Sequence, residues 1–251
     1  MHESLRAIFF DLDNTLLDHT GAARSAFAEI HGRYDLFSSI PLGRLFEQWI
    51  MVNDRYWHDY SAGLLTPAEL KVGRLRALAA WACNETGTAD AAAAQVEDMS
   101  RFYLDRLVAA SAPYDGVIRL LEGLRGRYQL GIISNGFTEV QRGRLRLAAL
   151  DAYFDHIILS EEVGAPKPDL RIFGAALESA GVAASESLYI GDNFLYDICG
   201  ASRAGMATIW FNPDGLEHPA TSSELRPGGI VRSIPDLARL LGVPFDLTSL
   251  S

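Results

Sequence analysis

Cysteine is nearly absent from this chain: Cys83 and Cys199 stand in unrelated contexts, without metal-ligand spacing. That excludes a disulfide scaffold and predicts two reduced, mostly buried thiols in a cytosolic protein. Basic charge is also short, with 22 Lys and Arg against 32 Asp and Glu and a formal net charge of −10. A nucleic-acid polymer or an anionic membrane surface is a poor partner for such a balance. An anionic small molecule is not excluded, because local cations reverse the field inside a cleft. No uninterrupted apolar run approaches membrane-spanning length, and Asp11 arrives before a signal-peptide core is complete. The expectation is a cytoplasmic protein. Internal repeats are missing, and the alanine run Ala91–Ala94 is the one low-complexity tract.

What is present is ordinary globular composition, 49% apolar and 22% charged over 251 residues, enough for a substantial core. The organising stretch is Phe9-Phe10-Asp11-Leu12-Asp13-Asn14-Thr15-Leu16-Leu17-Asp18. Ala7 to Phe10 reads as a buried strand, and two carboxylates and a hydroxyl follow it directly. Like charges at the end of a core strand are opposed by desolvation and repulsion. They become reasonable where a divalent cation sits in the crevice at the carboxyl end of a sheet. Asn14 suits a tight departure because Asn tolerates left-handed backbone.

From Gly21 to Ala110 the pattern is helical throughout. Thr20 is a candidate N-cap for a helix carrying Phe27, Ile30 and Tyr34, and Thr66-Pro67-Ala68-Glu69 has capping-box spacing with Pro first. Asp90 opens an alanine-rich helical segment running on through Val96, Met99 and Leu107. Beyond Pro113 the chain alternates. Strands are predicted at Gln129–Ile133, His156–Leu159, Ser187–Ile190, Ala207–Phe211 and Ile230–Val231, with helices between them, one over Val140–Leu147 and one ending at Gly181. Asn212 to Gly229 reads as a surface loop. The fold expected is α/β, a Rossmann-like parallel sheet made of residues 1–20 and 111–251, with an all-helical cap, 21–110, inserted after the first strand.

Three predicted strands end in complementary polar residues: Asp11 and Asp13; Ser134 and Asn135; Asp192 and Asn193. Between the last two lies Gly164-Ala165-Pro166-Lys167-Pro168-Asp169, whose prolines fix the backbone around a lysine. Together these residues offer a nucleophilic carboxylate, an acid/base, a hydroxyl, a cation and further carboxylates for a metal, the set that phosphoryl transfer requires.

In this order the set resembles the haloacid dehalogenase superfamily of phosphohydrolases, over essentially the whole chain. The resemblance implies Asp11 as the nucleophile forming an aspartyl-phosphate and Asp13 as the acid that protonates the leaving oxygen, then the base that activates water. It implies phosphate binding by Thr15, Ser134, Asn135 and Lys167, with Thr15 also structural. It further implies Mg²⁺ held by Asp11, the Asp13 carbonyl and Asp192, with Asp197 in the inner or outer shell. The dehalogenase branch lacks the second aspartate, so Asp13 favours a phosphatase. Ile132 to Gln141 and Ser160 to Gly164 are similar to the pyrimidine 5′-nucleotidase subgroup. Phosphatases of N-acylneuraminate 9-phosphate, phosphoglycolate or sugar phosphates share the catalytic motifs, and a non-catalytic binding protein on the same fold is the alternative of another class. Trp49, Asn53, Tyr56, Trp57, His58 and Tyr60 are cap residues that either face a substrate or pack in its core. The residues leave oligomeric state open.

Overall fold

The computed structural model describes residues 4–87, 95–219 and 225–244. Its sheet has six parallel strands in the order β3-β2-β1-β4-β5-β6. They are β1 (Ala7–Phe10), β2 (Gln129–Ser134), β3 (His156–Leu159), β4 (Ser187–Gly191), β5 (Ala207–Phe211) and β6 (Gly229–Val231). This is the Rossmann order, and it reverses between β1 and β4, where such sheets bind ligands. β1 pairs in register on both sides, Phe10 opposite Ile132 and opposite Ile190, so Asp11, Ser134 and Gly191 come to one edge.

The strands are apolar on both faces because helices cover both. Ile8, Phe10, Ile132 and Ile190 point into one core layer with α5 (Val117–Leu124) and α10 (Ile234–Leu240). Ala7, Phe9, Ile133 and Tyr189 point the other way, against α8 (Leu170–Ala180) and α9 (Cys199–Arg203). The period-2 alternation of β1 thus fills two cores from four residues. α8 stops at Gly181, whose φ of 60° is the left-handed conformation that glycine adopts without penalty.

The chain divides into two compact units, residues 1–18 with 112–251, and residues 19–111. The second contains α1 (His19–Arg33), α2 (Leu42–Ser61), α3 (Pro67–Thr86) and α4 (Val96–Ala109). Its core is an aromatic stack, with Trp49 4.6 Å from Phe27 and 4.8 Å from Tyr103. Arg74 is buried beside it, its guanidinium 5.3 Å from the Trp49 ring and its Nη1 donating to Asn53 Oδ1 at 2.8 Å. Trp49 is therefore an interior group of this unit, and Asn53 is half-buried at its side. The capping box at Thr66 is present, Thr66 accepting from the Glu69 N–H and Glu69 accepting from the Thr66 N–H.

Two sequence expectations are corrected. Thr20 lies inside α1, which already begins at His19, so it does not cap the helix. The helix expected from Val140 is α6 (Thr138–Leu147), which starts two residues earlier after the extended Phe137. Of the alanine-rich segment expected from Asp90, Asp90 to Ala94 lie outside the described residues, and the stretch from Val96 through Leu107 is helical as expected, in α4. Among those described, no helix is long and apolar enough to cross a membrane.

Candidate active site

The turn after β1 is built on Asn14, whose φ of 55° turns the chain while its N–H donates to the Leu17 carbonyl at 2.8 Å. Leu16 and Leu17 fold back into the core, each donating to the Leu12 carbonyl. The turn is thereby locked from below, and Asp11 and Asp13 are left at the carboxyl end of the sheet. Asp11 is almost fully buried, whereas the Asp13 side chain keeps 26% of its surface exposed.

Lys167 is the hub of the site. Its Nζ donates to Asp11 Oδ1 at 2.5 Å, to Asp197 Oδ1 at 2.7 Å and to the Tyr189 hydroxyl at 3.0 Å. All four side chains are buried. Asn135 aims the lysine: its Oδ1 accepts from the Lys167 N–H at 2.7 Å, and its Nδ2 donates to the Lys167 carbonyl at 3.1 Å. The Lys167–Pro168 peptide is cis.

Asp192 and Asp197 flank the turn that leaves β4. Asn193 caps this turn through its Oδ1, which accepts from the N–H groups of Leu195 and Tyr196. The indole of Trp210 pins the Asp192 carbonyl at 2.8 Å. Oxygens of Asp11, Asp192 and Asp197 lie within 4.8 Å of one another, close enough to share one cation. Asp197 is already engaged, its Oδ1 by Lys167 and its Oδ2 by the Asn193 N–H at 2.9 Å.

The electrostatics are those of a site short of positive charge. Asp11, Asp13, Asp192 and Asp197 gather around two buried cations, Lys167 and Arg144. Burial above all, then Asp197 and Asp13, push the Asp11 carboxyl up to about 7 against the pull of Lys167. Burial, Asp11 and Asp197 likewise hold Asp192 well above the usual carboxylate range. Burial opposes the charge on Lys167, but Asp11 and Asp197 more than offset it and raise its pKa. A divalent cation ligated by hard carboxylate oxygens supplies the charge this donor set lacks, so the residues fit Mg²⁺.

Thr15 and Asn135, both expected to bind phosphate, each hold another residue of the site. Thr15 is fully buried and its hydroxyl donates to Asp11 Oδ2 at 3.3 Å. The Asn135 side chain is spent on the backbone of Lys167. Both shape the groups that would meet a substrate. Ser134 is fully buried and accepts from Gln141 Nε2 at 2.9 Å.

Three residues of the site were not singled out as functional from sequence. Tyr189 reads as one more buried strand residue, yet its hydroxyl joins Lys167 and lies 3.0 Å from Asp197. Gln141 and Arg144 both reach Asp13 from α6. Their signal was the i,i+3 spacing, which puts both on one helix face.

A family model described as haloacid dehalogenase-like hydrolase matches residues 5–205. The chain belongs to the haloacid dehalogenase-like hydrolase family. Pyrimidine 5′-nucleotidase YjjG of Escherichia coli is 33% identical over 93% of this chain and 96% of its own. Pyrimidine 5′-nucleotidase PynA of Streptococcus pneumoniae is 30% identical, covering 92% of each. Among solved structures, the magnesium-bound HAD-hydrolase YfnB of Bacillus subtilis superposes with a TM-score of 0.80 at 28% identity, over 96% of this chain and all of that one. The parallel sheet is thus that of a hydrolase of this family.

Proposed function

We propose that this hydrolase is a Mg²⁺-dependent phosphomonoesterase that works through a phosphorylated Asp11 and takes pyrimidine nucleoside 5′-monophosphates. The observation that carries the reading is the division of labour at the end of β1. Asp11 is buried against Lys167, while Asp13, two residues on, pairs with Arg144 and remains partly open. A nucleophile and a separate acid/base are what ester hydrolysis requires, and halide displacement would need no second carboxylate.

Asp11 attacks phosphorus and the P–O ester bond breaks, with Asp13 giving its proton to the departing alkoxide. Asp13, now a carboxylate, takes a proton from water as that water attacks phosphorus, freeing Asp11 and inorganic phosphate. Lys167 offsets charge on Asp11 and on the phosphoryl oxygens, and Ser134 contributes its hydroxyl to them. Thr15 and Asn135 act through Asp11 and Lys167. Mg²⁺, held by Asp11, Asp192 and the Asp13 carbonyl with Asp197 behind them, would polarise the phosphoryl oxygens and order the oxygens in line.

The phosphoryl machinery reads only the phosphate, so discrimination among esters is assigned to the helical unit, as a lid that selects the substrate. The names of the Escherichia coli and Streptococcus pneumoniae relatives support pyrimidine nucleotides. We expect kcat/KM at fixed Mg²⁺ to be higher for dUMP and dTMP than for phosphoglycolate, sugar phosphates or N-acylneuraminate 9-phosphate. A clear preference for a non-nucleotide would remove the nucleotidase reading and leave the phosphatase one. Failure to hydrolyse even a generic aryl phosphate would favour a binding protein instead.

A further inference from the structure

Beyond the four motifs, α6 presents two polar side chains to Asp13 from one face. Arg144 Nη1 donates to Asp13 Oδ1, and Gln141 Nε2 donates to Asp13 Oδ2 at 2.9 Å. The two are also joined to each other, Arg144 Nη1 donating to Gln141 Oε1 at 3.0 Å. That bond fixes the orientation of the amide, since only its NH₂ end can then face Asp13. The same Nε2 donates to Ser134 Oγ at 2.9 Å. One amide therefore spans the tips of β1 and β2.

The arrangement carries a cost. Arg144 keeps 1% of its side-chain surface exposed, and Gln141 is 2% exposed. Burying a guanidinium is expensive, and a buried ion pair often adds little net stability. Room is made for it as well: a Cβ on Gly136 would come within 2.5 Å of Gln141 Cγ and 2.7 Å of its Nε2. The site thus holds both oxygens of a carboxylate whose side chain is 26% exposed.

We propose that Arg144 and Gln141 are positioning residues that orient the Asp13 carboxyl toward the leaving oxygen. This rests on the acid/base reading of Asp13 given above. The pair does not touch the transferred group. It acts by fixing the direction of proton delivery, where small misplacements are costly. A purely structural tie between α6 and the β1 turn would instead affect stability and leave substrates ranked as before.

The test uses leaving-group dependence. p-Nitrophenyl phosphate expels a stabilised phenolate and needs little proton donation, whereas a nucleoside 5′-monophosphate expels an alkoxide. The kcat/KM for each is measured in the full-length Mg²⁺-loaded enzyme and in Asp13→Asn, Arg144→Met, Arg144→Lys and Gln141→Leu. Arg144→Met is expected to lose on the order of 10–100-fold on the nucleotide, a part of the roughly 10²–10⁴-fold that general acid help supplies, and only a few-fold on the aryl ester. Arg144→Lys should recover part of that loss, and adding Arg144→Met to Asp13→Asn should cost almost nothing more. If Arg144→Met does not fold, Gln141→Leu and Arg144→Lys supply the same ratio. Equal losses on both esters in these variants, with Asp13→Asn still discriminating between them, overturn the positioning role alone. Equal losses in Asp13→Asn itself overturn the acid/base reading, and the brace with it.

Discussion

Asp11→Asn is expected to abolish hydrolysis of every phosphomonoester, a loss on the order of 10⁴–10⁶-fold in kcat, while the protein stays folded. An amide is a poor nucleophile toward phosphorus, and Asp11 is the carboxylate that meets Lys167 at the end of β1. The fold survives because the substitution removes a buried charge without changing volume. Asp11 is pushed up to about 7, chiefly by burial. Its folded-state pKa is therefore raised, and the stability it contributes is present at low pH and lost as pH rises through about 7. At pH 8 without metal the wild type carries that penalty and Asn does not. Lys167 keeps Asp197 as a partner in the variant. Melting at pH 8 in chelator should thus show a Tm for Asp11→Asn no lower than wild type. A folded Asp11→Asn enzyme with near-normal turnover would contradict the assignment of the nucleophile.

Chelation should be the second large effect. With Mg²⁺ removed, turnover is expected to fall to background and to return when Mg²⁺ is restored. Ca²⁺ should bind and support little turnover, because its longer, looser coordination misplaces the nucleophile. The same site makes a prediction that needs no activity measurement. If Asp11 and Asp192 hold Mg²⁺ as proposed, protons compete with it there, since both carboxyls hold protons more tightly than ordinary carboxylates. The rise in Tm on adding Mg²⁺ should accordingly be small at pH 5.5 and larger at pH 8. Differential scanning calorimetry in chelator and in saturating Mg²⁺ measures it. A Tm shift that is absent, or larger at the acidic end, would argue against a carboxylate-held cation.

Much of this architecture was legible because local chemistry and global fold agree. The strand ends at Asp11, Ser134 and Asp192 were marked by apolar runs breaking into polar residues, and parallel register brings the first two to one edge with Gly191. Asn14 announced its left-handed turn, and Thr66 with Glu69 their capping box. What stayed hidden depends on which way a side chain faces. α6 carries one Gln and three Arg, and its Gln141–Arg144 face is turned inward onto Asp13. Tyr189 looks like core because its ring is core; only its hydroxyl belongs to the site. The motif drew attention to Thr15 and Asn135, but their hydrogen bonds to Asp11 and to the Lys167 backbone, over four and 32 residues, could not be read from it. Trp49 has the spacing of either a packed or a ligand-facing residue, and Phe27 and Tyr103, distant in sequence, decide for packing.

The most direct measurement is to trap the phosphorylated enzyme. Asp13→Asn should accept a phosphoryl group from an aryl phosphate, whose leaving group needs no acid, and then stall because no base activates water. Mixing this variant with a ³²P-labelled aryl phosphate and Mg²⁺, quenching in acid and mapping the peptides should give close to one label per chain, on Asp11. Substituting Asp11→Asn in the same background should remove the label. Phenol released without a burst and without label on Asp11, from a variant that still turns over, would contradict the covalent mechanism.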